Sequence, residues 1–285
     1  MPVSKIKNLI LLLLALSVVC LLFLAVPMRT AQIQAEDALH AQLEELFASY
    51  DIQLDRGILP RSVDLYTVEL SGQQADNAAA AAALLGADAA LQPDSSHYAA
   101  TYLSPAGNCT FRAGGGFSAA LTGGESTSDM AGSAARLLKK MGFDAESVSA
   151  PERQSAGVYT LTARQRLFGV RVLSGGLTLT YTNGVLTKME GTFLTGVSQA
   201  VRTGSTACIS CASALTSLLS GRDALGWVGS RILHVQQCYR FSEAPSGAMR
   251  LTPVWLIETD TGSFCVGGMS REITAWDSLD GGCMR

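Results

Sequence analysis

From Leu9 to Val26 the chain is an unbroken apolar run of eighteen residues without a charge, Ser17 and Cys20 being its most polar members. Wound as a helix at 1.5 Å per residue, such a run is about 27 Å long, close to the hydrocarbon thickness of a bilayer. Its nine Leu, three Val, one Ile and one Phe contribute roughly −4 to −8 kcal/mol to insertion, and no charge opposes them. The expectation is a retained transmembrane anchor over 9–27 behind a short tail, 1–8. Lys5, Lys7 and the α-amino group face Arg29 across the run, a bias that points to a cytoplasmic N-terminus and an extracytoplasmic body. A cleaved signal peptide is the rival reading. The run exceeds the usual signal core of about 7–15 residues, and Pro27-Met28-Arg29 follows where small residues would be needed.

Beyond the anchor the period changes. Ile33, Leu39, Leu43, Leu46 and Phe47 recur at helical spacing and predict an amphipathic helix over 32–50 whose stripe packs on its own body. Alternation predicts a strand over 63–70, an Ala-rich segment a helix over 75–85, and three further strands lie over 97–103, 109–113 and 117–121. Ser126 to Asp129 offer caps for a helix running through Lys139 and Lys140. Strands follow over 158–167, 170–173, 177–182 and 185–190, the last two flanking Asn183-Gly184, a strong hairpin signal. Leu177, Leu179 and Tyr181 share one face, with Thr178, Thr180 and Thr182 on the other. A second helix over 205–220, capped by Ser205 or Thr206, precedes strands over 231–241, 250–258 and 263–268.

Helix, strands and hairpin thus occur twice. The fold class expected is α+β: one N-terminal transmembrane helix, then two related units, each a helix packed on an antiparallel sheet. The partition is 28–125 for the juxtamembrane helix and an N-terminal α+β region, 126–198 and 199–275 for the two units, and 276–285 for a flexible tail rich in Gly, Asp and Ser.

Composition removes several function classes. Net charge is −3 and charged residues are 16% of the chain, with no basic run, so no nucleic-acid partner is inferred. The three histidines, His40, His97 and His234, are isolated in sequence, and no G-x-S-x-G, H-E-x-x-H or phosphate-loop pattern occurs. No catalytic, cofactor-binding or metal residue is assigned, no small-molecule substrate is inferred, and the chain is not read as an enzyme. Gly114-Gly115-Gly116 and Gly123-Gly124 read as turns, and Trp227, Trp255 and Trp276 as packing residues. Cys208 and Cys211 form a C-x-x-C near a helix start, the spacing of a redox or disulfide pair, although no βαβ context surrounds it. Within the anchor, Ala15, Ser17 and Cys20 are small enough to seat a partner's membrane helix.

The last strands carry a resemblance. Leu251-Thr252-Pro253-Val254-Trp255-Leu256-Ile257-Glu258-Thr259-Asp260-Thr261-Gly262, with Phe264-Cys265-Val266 and Met269-Ser270-Arg271-Glu272-Ile273, resembles the PepSY-type ending, Arg271 standing where that family often has Gly. Gln165, Leu177, Leu179, Tyr181, Asn183 and Gly184 match a central segment of the YycH/YycI family of Gram-positive two-component-system regulatory proteins, closer to the YycI side. The resemblance implies a non-enzymatic, membrane-anchored regulator. Its expected partners are the membrane, a sensor histidine kinase of cell-wall homeostasis and a paralogous regulator. Two alternatives stand beside it: a PepSY-type inhibitor or chaperone of a secreted or membrane protease, and an exported thiol–disulfide enzyme using Cys208 and Cys211.

Overall fold

The computed structural model describes residues 13, 14, 16, 17, 35–61, 63–93, 99–243, 248–277, 282 and 283. The expected anchor lies almost entirely outside them. Leu13, Leu14, Leu16 and Ser17 are helical and exposed, and among the described residues no helix is long and apolar enough to cross a membrane.

The hairpin signal at Asn183-Gly184 locates the centre of the first half. Strand β9 (Val170–Thr182) turns there into β10 (Val185–Thr192), with φ of 51° at Asn183 and 81° at Gly184. Two successive positive φ angles define the tight turn whose twist matches the strands it joins. On the other side of β9 lies β8 (Val158–Leu167), with Leu161 opposite Leu179 and Ala163 opposite Leu177. Leu161, Leu179 and Met189 form one buried face, and Thr178, Thr180 and Thr182 stay half-exposed on the other. Two helices cover the buried face: α2 (Gln73–Leu85) and α3 (Met130–Lys140), the latter capped by Asp129, which accepts from Gly132 N at 2.9 Å. The sheet runs on from β10 through β5 (Gly116–Leu121), β4 (Gly107–Arg112), β3 (Ala99–Ser104) and β2 (Ala90–Leu91).

The second half repeats the scheme. Helix α4 (Cys211–Ser220) lays Ala214, Leu215 and Leu218 on a meander of β12 (Ile232–Glu243), β13 (Met249–Thr259) and β14 (Gly262–Gly267). Its core is completed from far upstream. Leu43 and Phe47 of α1 (35–48), followed by Ile52, Leu54 and Leu59, pack among Trp255, Ile257 and Val266.

The halves are not two antiparallel sheets. Strand β12 runs parallel to β9, Cys238 opposite Arg171 and Arg240 opposite Leu173, which fuses everything into one mixed, 16-stranded sheet. The short β1 (Val68–Leu70) pairs with β13 and with β11 (Val201–Arg202).

Four local expectations are corrected. Strand β9 is continuous through Ser174, at a φ of 67°, where the sequence suggested a break. Two strands not foreseen, β6 (Ala145–Val148) and β7 (Glu152–Ser155), pair with β8; they are short and lack an alternating apolar pattern. The chain after Glu272 is not all frayed. It forms β15 (Ile273–Asp277), anchored by the buried Trp276, and β16 (Gly282–Cys283). Finally, α4 begins at Cys211 and not near 205. Cys208 N donates to Leu65 O at 2.8 Å and Ile209 N to Gly268 O at 2.9 Å, so the main chain there is tied to other segments, and Ser210 caps the helix.

Candidate functional site

The C-x-x-C residues come first. Cys208 lies two residues before the cap of α4, half-buried, and Cys211 is the first helical residue and buried. Both are thiols, as are Cys109, Cys238 and Cys265. Burial raises the Cys208 thiol above its ordinary value and pushes Cys211 up to about 12. A redox pair works through a lowered thiol pKa at an accessible sulfur, so this environment is the reverse of the one that chemistry uses. Of the anchor residues, Ser17 is exposed and donates to Leu14 O at 2.9 Å, while Ala15 and Cys20 lie outside the described residues. His40 is half-buried on α1 and His234 exposed on β12, and His97 lies outside the described residues. Among the described residues no group of three or more His, Cys, Asp or Glu is placed to hold a metal.

Gln165, part of the central match, is fully buried. Its Oε1 accepts from Leu194 N at 3.0 Å and its Nε2 donates to Leu194 O at 2.9 Å. Gln237 repeats the device in the second half, holding Val63 N and O, each at 2.9 Å. Both glutamines pin a connecting segment over the sheet, which makes their role structural.

A groove of about 790 Å³ lies where α1 meets the start of β12. Glu44 and Ala48 of α1 form one wall, the 51–55 segment the second, and Arg231, Ile232 and Leu233 the third. Gln53 serves as a one-residue parallel strand here, its N donating to Ser230 O at 2.7 Å and its O accepting from Ile232 N at 3.0 Å. Arg231 clasps the Gln53 side chain at 2.7 Å, and Arg56 pairs with Glu44. Among the described residues neither Asp51 nor Asp55 has a cationic partner.

Past Gln53 that edge of β12 has no strand partner among the described residues until β9 joins at Cys238. The register against β13 shifts between Ile232 and His234. Such a bulge re-aims its extra residue, and Leu233 is accordingly 48% exposed. Sequence reasoning missed this groove because its walls come from two distant segments, 44–58 and 231–233. The one local trace is the alternation in Asp51-Ile52-Gln53-Leu54-Asp55, whose Ile52 and Leu54 are buried.

No family model matches the chain, and no curated protein matches it. Among solved structures it is similar to an uncharacterized protein from Eubacterium rectale, with 11% identity and a TM-score of 0.46 over 78% of this chain and 86% of that one. It is also similar to the C-terminal domain of YpeB from Bacillus megaterium, with 11% identity and a TM-score of 0.36 over 73% of this chain and 99% of that domain. At these TM-scores neither likeness carries an argument about function.

Proposed function

We propose that this chain is a membrane-anchored extracytoplasmic regulator, YycI-like with a PepSY-like C-terminal unit, that modulates a sensor histidine kinase of cell-wall homeostasis by protein contact. The observation that carries the reading is the coupling of α1 to the body. The apolar run 9–26 is followed in the sequence by a helix whose Leu43 and Phe47 sit in the core of the second half, so the segment after the proposed anchor is packed into the body. Confinement to the membrane plane raises the effective concentration of such a body towards a membrane-bound partner. The raised pKa of both C-x-x-C thiols favours this reading over a thiol–disulfide enzyme.

Crosslinking intact membranes and purifying the tagged chain tests it. The expected companion is a sensor kinase, with or without a paralogous regulator. Recovery of a peptidase instead replaces the reading with that of a protease inhibitor or chaperone. A cellular redox defect on changing both Cys208 and Cys211 to Ser replaces it with the thiol enzyme.

A further inference from the structure

We propose that the groove between α2 and α3 is a ligand site, and that its ligand is a medium-length aliphatic monocarboxylate. The site rests on the first half of the molecule and stands apart from the regulatory reading. Its origin lies in the sequence of α2. Residues 78–83 are all alanine, so α2 brings short side chains to its seam with α3, where a cavity of about 370 Å³ remains. At about 30 Å³ per heavy atom, the share of one water in the liquid, the cavity holds about a dozen such atoms, an acid of about eight to ten carbons.

The floor is aliphatic. Leu84, Leu121, Leu137 and Leu186 line the cavity, and each stays only half-buried although it packs on the core. An alkyl chain laid over them removes that apolar surface from water. The facing wall is held in place. Thr122 N donates to Ala106 O and Thr127 N to Gly184 O, each at 2.9 Å, which fixes the loop between them as a preformed side of the cavity.

Charge sets the head group and its orientation. Arg136 and Lys140 line the cavity one turn apart on α3, about 5–6 Å between their Cβ atoms, close enough to share the two oxygens of one carboxylate. Both are exposed, and neither has an ion pair among the described residues. Glu125 on the loop lines the cavity too, also without an ion pair, so the lining carries two cations against one carboxylate. Asp129 lies outside the lining and is spent on Gly132 N, while the exposed Lys139 adds a further positive charge on the same helix. The surplus of one cation in the lining matches a monoanion. Tyr181 closes the buried end, its hydroxyl donating to Met130 O at 3.4 Å, so that end offers no charge. The alkyl chain therefore points inward and the carboxylate stays at the rim.

The test uses the full chain in detergent, with carbon-13 methyl-labelled leucine. It is titrated with sodium octanoate, with 1-octanol, and with acetyl-Leu-Leu bearing a free C-terminal carboxylate. The expected result is a saturable shift of the Leu84, Leu121, Leu137 and Leu186 methyl resonances by a carboxylate, about tenfold tighter than any shift by octanol, while Leu215 and Leu218 under α4 stay still. The tighter of the two acids identifies the source as a free aliphatic acid or a peptide end. Arg136→Gln and Lys140→Gln should each weaken binding about threefold, and the double variant about tenfold. Glu125→Gln should tighten it, because the opposing carboxylate is gone. Ala83→Phe fills the cavity and should abolish binding, and Lys188→Gln, which removes a cation paired with Glu190 away from the cavity, should leave it unaltered. Circular dichroism and the melting temperature verify that each variant is folded. No saturable shift with either acid, equal affinity for octanoate and octanol, or indifference to the double variant overturns the proposal. If Ala83→Phe fails to fold, the exposed Arg136, Lys140 and Glu125 variants decide by themselves. Loss of the site leaves the regulatory reading standing, and absence of a kinase from the crosslinked material leaves the site standing.

Discussion

Gln165 shows how much one polar side chain decides in this molecule. It satisfies both main-chain groups of Leu194 inside the core, so replacing it by Leu leaves a buried N–H and a buried C=O without partners. A buried unsatisfied group costs about 1–3 kcal/mol, so Gln165→Leu is expected to lower unfolding free energy by about 2–4 kcal/mol, read from urea titration. The buried thiols make a second prediction. Cys109, Cys211 and Cys238 are each pushed by burial from 9.0 to about 12. In the unfolded chain they lose their protons near the ordinary value, while the folded chain retains them, so above that value the unfolded state binds fewer protons and is favoured. Stability is therefore intact below pH 9 and declines as the pH rises towards 12. Urea midpoints measured from pH 8 to 11 should fall, and less steeply in Cys211→Ala.

At the scale of elements, α1 is the surprise. Its helical stripe was legible in the sequence, but the stripe divides: Leu43 and Phe47 are buried, while Leu39 and Leu46 stay 40% and 37% exposed. A helical period shows which residues share a side; it does not show how wide a strip the neighbour covers. Phe47→Ala removes a fully buried ring from the second half, and the expected loss is about 3–5 kcal/mol by urea unfolding. An effect below 1 kcal/mol would mean that α1 is not part of this core. Helix α4 teaches the same lesson about boundaries. Its presence was readable, but its start was not, because Cys208 and Ile209 donate to Leu65 and Gly268, contacts no local pattern encodes.

For the molecule as a whole, the decisive joint is the parallel pairing of β9 with β12. It turns two helix-and-meander halves into one sheet. The second half also borrows Leu43, Phe47, Ile52, Leu54 and Leu59 from the beginning of the described body. A fragment comprising 199–285 lacks these side chains, and it is expected not to fold alone. Its amide proton spectrum should show the narrow dispersion of an unfolded chain. A well-dispersed spectrum would make the second half an independent domain.

The sequence alone determined what depends on near neighbours: the apolar run 9–26, the Asn183-Gly184 turn, the alternating faces of 177–182, the helical stripe of α1 and the capped start of α3. Dihedral preference and side-chain period act over a few residues, so they can be read in order along a chain. Tertiary structure decided the rest. The fusion of two sheets into one, the burial of the C-x-x-C thiols and the meeting of Asp51, Asp55, Arg231 and Leu233 at one groove come from segments up to 182 positions apart in the numbering. Such contacts depend on which distant apolar faces cover one another, and that choice is made only when the whole core closes.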